Sequence, residues 1–177
     1  ALEAGDRQKA KQLAEQNLVG PNNAQYGRYL SFGDIFMVFN NQKKGLENVT
    51  NYHRDLDITE AITTTSYSQD GTTFKRETFS SYPDDVTVTH LSKKGDKTLD
   101  FTLWNSLTED LIANGDYSWE YSNYKQGAVT TDSNGILLKG TVKDNGLKFA
   151  SYLGIKTDGQ VTAQDGYLTV TGASYAT

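Results

Sequence analysis

The sequence contains no cysteine and only two histidines, one methionine and two tryptophans in 177 residues. Without cysteine there can be no disulfide, no thiolate metal ligand and no thiol nucleophile, although this does not decide the compartment. The two histidines, His53 and His90, lie far apart in the chain, so neither a metal site nor any other cofactor is expected. No Gly-x-Ser-x-Gly elbow is present to build a serine nucleophile. No apolar run approaches the roughly 20 residues a spanning helix requires, and the opening residues show no signal-peptide pattern. Positive charge is also scarce. Seventeen basic against 22 acidic residues give a net charge of −5, and no Lys/Arg cluster rises above the background. Phosphate backbones would be repelled, so neither nucleic acid nor a membrane is expected as a partner.

What is present is a polar but aromatic-rich chain. Its mean hydropathy is −0.60, and its 11 Tyr and 7 Phe need surfaces to pack against. The length fits one domain spanning residues 1–177. A chain of this size buries roughly 70% of its unfolded surface. Asp6 is placed to cap a helix over residues 6–18, in which Ala10, Leu13, Ala14 and Leu18 recur at helical spacing and Gly20–Pro21 mark the stop. After a loop at 21–33 the period becomes two. The apolar run Ile35–Phe39 predicts a buried strand. Strands are also predicted near Leu56, over 61–68, 72–80, Val86–Val88 and 98–104, and then over 116–122, 126–131, 136–142, 147–156, 160–164 and 167–172. Gln69–Asp70–Gly71, Lys94–Gly95–Asp96, Asp132–Ser133–Asn134–Gly135, Asp144–Asn145–Gly146, Asp158–Gly159 and Asp165–Gly166 punctuate them as turns. The fold class is therefore mainly β, an antiparallel super-sandwich with a short N-terminal helix. Phe74 and Phe79 must face opposite ways in one strand, which suggests layers on both sides.

The side chains that could carry chemistry are few. His90 continues the Val86–Val88 face and is expected to point inward. The carboxylates Asp55, Asp57, Glu60, Glu77, Asp84, Asp85, Glu109 and Asp110 could furnish a glycosidase acid/base pair, but spacing alone selects none of them, so no catalytic residue is assigned. A partly buried Glu77 would need a cationic or backbone partner. Aromatic residues give the better signal. Trp104 falls on the Thr98–Asp100–Thr102 face, opposite Leu99–Phe101–Leu103. Tyr117, Trp119 and Tyr121, spaced by two, share one face of a strand. Such rings either stack on the apolar C–H faces of a sugar or pack against a neighbouring domain.

Three stretches carry a family resemblance: Tyr52-His53-Arg54-Asp55-Leu56-Asp57-Ile58, then Thr72-Thr73-Phe74-Lys75-Arg76-Glu77-Thr78-Phe79-Ser80-Ser81, then Pro83-Asp84-Asp85-Val86. In this order and spacing they resemble the N-terminal β-sandwich domain of the α-L-fucosidases of glycoside hydrolase family 95. Leu18-Val19-Gly20, the segment Tyr26 to Phe39, and Thr169-Val170-Thr171-Gly172-Ala173 look like the same domain. The family's Asn-Glu-x-x-Trp-x-Gly-like opening is absent. The resemblance implies a multidomain parent whose active site lies in a downstream (α/α)6 barrel. There a Glu acts as acid, and an Asp with Asn partners activates water for inverting hydrolysis of terminal α-linked fucose. No residue of this chain matches those catalytic groups, so the resemblance implies a non-catalytic domain with the barrel as its partner. A related family of disaccharide phosphorylases has a similar N-terminal sandwich. A free-standing carbohydrate-binding module with an oligosaccharide as ligand is the reading from a different class; it would use Trp104, Tyr117, Trp119 and Tyr121 as its platform.

Overall fold

The structure, a computed structural model, describes residues 2–18, 32–39, 48–108, 125–143 and 145–177. The helix α1 runs Arg7–Asn17. Its start follows from Asp6, whose side chain accepts the Lys9 N–H at 3.0 Å and so satisfies one of the free donors of the first turn. No residue of α1 is fully buried. Ala10 and Ala14 are half-buried and Leu13 is exposed, so the helix adds little to the core. The Gly20–Pro21 stop lies outside the described residues.

Twelve strands are described: β1 (Ile35–Phe39), β2 (Val49–Asp57), β3 (Ile62–Gln69), β4 (Thr72–Ser81), β5 (Val86–Lys94), β6 (Leu99–Asn105), β7 (Lys125–Asp132), β8 (Gly135–Val142), β9 (Lys148–Gly154), β10 (Gln160–Gln164), β11 (Tyr167–Ala173) and β12 (Tyr175–Ala176). They form three antiparallel sheets. Sheet A has the order β1, β6, β11, β10; sheet B the order β12, β5, β4, β3, β2; sheet C the order β7, β8, β9. The Asp-Gly turns are where the sequence puts them. Asp70 and Gly71 have φ of 48° and 78°, and Asp165 and Gly166 have 48° and 83°. Two consecutive left-handed residues make the tight turn whose twist matches a hairpin.

Alternation along β6 decides the core. Leu99, Phe101 and Leu103 are buried, while Asp100, Thr102 and Trp104 between them are half-buried. Leu168 and Val170 of β11 join the same face. Against it stand Phe74 and Leu91 from sheet B and Ile136 and Leu138 from sheet C, in one cluster. Sheet A is thus one layer of a β-sandwich, and sheets B and C contribute to the other. Small apolar cavities remain where they meet. One of about 90 Å³ is lined by Met37, Leu91, Phe101, Leu103 and Leu153; another of about 70 Å³ lies among Phe39, Tyr67, Phe74, Arg76 and Leu99.

The chain changes sheet near its last residues. β11 ends at Ala173 in sheet A, and after Ser174 the chain enters sheet B as β12. Asp158 holds this corner by accepting the N–H groups of Ser174 (2.8 Å) and Tyr175 (3.1 Å). These two backbone donors keep its carboxyl below the ordinary carboxylate value. Thr177 and Lys156 exchange two backbone hydrogen bonds of 2.8 Å.

Three expectations need correction. Ile35–Phe39 is a strand, but an edge strand with Ile35, Phe36 and Val38 exposed. An unbroken apolar run has two apolar faces, and the sandwich covers only one of them. His90 does not point inward. Leu91 holds the inward position, so Val86, Val88 and His90 face the other way, and His90 Nδ1 meets Thr177 Oγ1 at 2.8 Å. Phe79 is 38% exposed while Phe74 is buried, so this strand is covered on one face rather than on both.

Candidate interaction surfaces

Trp104 stands on the outer face of sheet A, on the side the alternation of β6 assigns to it. Its surroundings are less polar than the sequence suggests. Phe36 lies directly opposite it in register on β1, with ring centroids 5.2 Å apart and planes at 24°. Tyr167 approaches from β11 at 5.6 Å and 43°. The three rings form a row across three strands. Beside it Val38 faces Thr102, and the Thr102 and Thr169 hydroxyls lie 3.3 Å apart. Offset stacking of this kind stabilises beyond the area it buries, and it turns the face of the indole toward Phe36 rather than toward solvent. Phe36 and Tyr167 are the members of this surface that sequence reasoning missed. The signal for Phe36 was present, because every residue of Ile35–Phe39 is apolar and half of them must point outward. Tyr167 could not be placed without knowing that β11 lies beside β6. Tyr117, Trp119 and Tyr121, with the predicted strand 116–122, lie outside the described residues.

The second surface is on sheet B. Strands β3 to β5 lie over the core at one end, where Phe74 and Leu91 sit, and together with β2 they extend beyond it. Every residue of β2 after Val49 is exposed. At the far end, the turns after β2 and β4 carry Ile58 and Tyr82, which are 86% and 97% exposed. Of the three stretches that carry the family resemblance, 52–58 and 83–86 lie on this wing, and 72–81 runs from the core, where Thr72 and Phe74 are buried, out onto it.

The registers separate its two faces. Asp55, Thr64, Glu77 and His90 form one row on the outer face, and Arg54, Thr65, Arg76 and Leu91 form one on the inner face. The candidate carboxylates lie on the outer face or in the turns. Glu77 finds its cationic partner in Lys75, at 2.8 Å. Asp57 accepts the N–H groups of Thr59 and Glu60, and Asp84 accepts the Ser81 hydroxyl. Asp55, Asp57, Glu60, Asp84 and Asp85 are all exposed; Glu109 and Asp110 lie outside the described residues. None of the described carboxylates lines either cavity. Among the described residues no group of three His, Asp or Glu could hold a metal ion, and no helix is long and apolar enough to cross a membrane.

Flat sheet faces, turn-bound carboxylates and small apolar cavities define a β-sandwich domain whose surfaces are suited to contact. The family described as glycosyl hydrolase family 65, N-terminal domain, matches residues 1–177, and the chain belongs to it. No curated protein matches the chain. The family match supports an N-terminal sandwich domain of a glycoside hydrolase, as the sequence motifs suggest; it is to family 65 and not to the family 95 fucosidases.

Proposed function

We propose that this chain is a non-catalytic N-terminal domain that supports the catalytic domain of a carbohydrate-active enzyme, an (α/α)6 barrel in the same polypeptide. The observation that carries this reading is the family match over the whole sequence, together with the placement of the described carboxylates on exposed strands and turns. Inverting hydrolysis needs two carboxyl groups about 6.5–9.5 Å apart with a water between them, in a pocket that buries most of a sugar. The parent acts on a glycosidic bond. The motifs at 52–58, 72–81 and 83–86 support terminal α-linked fucose as its substrate, and phosphorolysis of a disaccharide is the neighbouring chemistry.

One assay set tests both levels. The 177-residue chain and the intact polypeptide are incubated with 2′-fucosyllactose, with an aryl α-L-fucoside, and with α-linked glucose disaccharides plus inorganic phosphate. The chain releases nothing above buffer and the intact polypeptide turns over one class. Release by the chain alone that Glu77→Gln or Asp85→Asn abolishes would overturn the non-catalytic reading. Phosphate-dependent turnover without fucose release would replace hydrolysis with phosphorolysis.

The glycan-binding reading has the Phe36–Trp104–Tyr167 row in its favour. Stacking on a sugar needs a free ring face, however, and Trp104 spends one on Phe36 and meets Tyr167 on its other flank. That geometry favours a packing role.

A further inference from the structure

The inner face of the sheet B wing has an unusual charge pattern. The chain is acidic overall, with four arginines: Arg7, Arg28, Arg54 and Arg76. Two of these four, Arg54 and Arg76, stand on this one face, each opposite Thr65 from either side. Their backbones are therefore two strand spacings apart, about 9.6 Å. Along β2 to β5, the positions that share this face include no Asp or Glu, because alternation sends Asp55, Asp57 and Glu77 to the other side. Both arginines are exposed, and neither has an ion pair or hydrogen bond among the described residues. Beside them Leu56 is 59% exposed, on the same face as Thr63 and Thr78. The row that begins with Arg54 ends on Leu91 in the core, so the two cations sit where the sandwich stops covering sheet B.

We propose that this face is the docking surface for an acidic patch on the catalytic domain of the same polypeptide, with Arg54 and Arg76 each engaging a carboxylate and Leu56, in the next row beside Arg54, covered by apolar side chains. The inference rests on the reading that the chain works joined to such a domain. Charge complementarity selects the occupant. A guanidinium fork matches a carboxylate in two parallel hydrogen bonds, and two forks at this spacing on an acid-free face fit two carboxylates on one rigid surface. A second copy of the chain is the poorer occupant. Its carboxylates lie on the opposite face of the same strands, so stacking would be head-to-tail and would not close. Nucleic acid is disfavoured by the net charge of −5.

Arginine-selective labelling with p-hydroxyphenylglyoxal, mapped by mass spectrometry, tests the proposal on the chain and on the intact polypeptide. In the intact polypeptide Arg54 and Arg76 react about tenfold more slowly than in the chain, the factor expected where the interface must first open, while Arg7 on the exposed helix reacts equally in both. The double variant Arg54→Glu/Arg76→Glu keeps the melting temperature of the chain but lowers that of the intact polypeptide, and Arg54→Lys/Arg76→Lys lowers it less. Equal labelling of Arg54 and Arg76 in the two proteins overturns the proposal, as does an intact polypeptide indifferent to charge reversal. Concentration-dependent self-association of the chain that charge reversal abolishes would assign the face to a second copy and overturn it too. These outcomes leave the enzyme reading standing when the intact polypeptide is active. A gene that stops after residue 177 would sink that reading itself.

Discussion

The middle of sheet A and the wing of sheet B are both antiparallel, both built on period-two alternation, and differ in what the alternation separates. In β6 it separates Leu99, Phe101 and Leu103 from Asp100, Thr102 and Trp104, and the first set is shut between sheets. In β2 and the far halves of β3 and β4 it separates Arg54 and Leu56 from Asp55 and Asp57, and neither set is covered. The middle of sheet A needs no partner to hold it. The wing has its backbone ladder, small hydroxyl contacts such as Thr78–Thr89 (3.1 Å) and Ser80–Thr87 (3.0 Å), and little buried apolar area. Stability and recognition are therefore placed in different parts of the same fold, and substitutions should report this division.

Truncating Phe101, which is fully buried and packed against Phe39, is expected to cost about 3–5 kcal/mol. Leu56→Ala on the wing should fall within about 0.5 kcal/mol. Urea unfolding of the two variants gives both values, and comparable losses would break the comparison. A double-mutant cycle of Phe36→Ala and Trp104→Ala sharpens it, because the outer face of sheet A lies between the extremes. The expected coupling is about 0.5–1.5 kcal/mol, and a coupling near zero would mean that the rings are neighbours without mutual support. The smallest effect concerns the corner where the chain leaves sheet A for sheet B. The Asp158 carboxyl is held below its ordinary value of 3.8 by the Tyr175 and Ser174 N–H groups. A lowered folded value means that its contribution is complete above that ordinary value and fades as the pH falls through the lowered one. Asp158→Asn should therefore lower the melting temperature at neutral pH, and the gap to wild type should close below pH about 4. A gap that widens in acid would reverse the sign.

Legibility followed how local each determinant is. The Asp70–Gly71 and Asp165–Gly166 turns are written in two residues each, and the inward set of β6 in five. The Asp6 cap needed one carboxylate three residues before its donor. What the sequence did not disclose was which sheet face would be left open. The valines at 86 and 88 read as inward because valine usually is, but they point away from the core, and the inward positions opposite Thr78 and Ser80 are threonines. β12 escaped because two residues have no period, and its pairing with β5 makes it a strand. The partners of Trp104 escaped because β1 and β11 meet β6 from distant parts of the chain. The resemblance led to the right kind of domain, the N-terminal sandwich of a glycoside hydrolase, and the family match is to family 65.

The connectivity also sets an order of assembly. Sheets B and C are, except for β12, meanders in which each strand pairs with the next in sequence. Sheet A is different: Ile35 must find Asn105, and Leu103 must find Leu168. During synthesis the hairpins of β2 to β5 and of β7 to β9 can close as they emerge, while β1 waits for β6, and β6 for β11. Non-local closures of this kind are slow and leave apolar faces uncovered meanwhile. The inward side of β6, formed by Leu99, Phe101 and Leu103, is thus a surface a nascent chain must shield until Ala173 has been made, and a chaperone that delays its collapse would act during that wait.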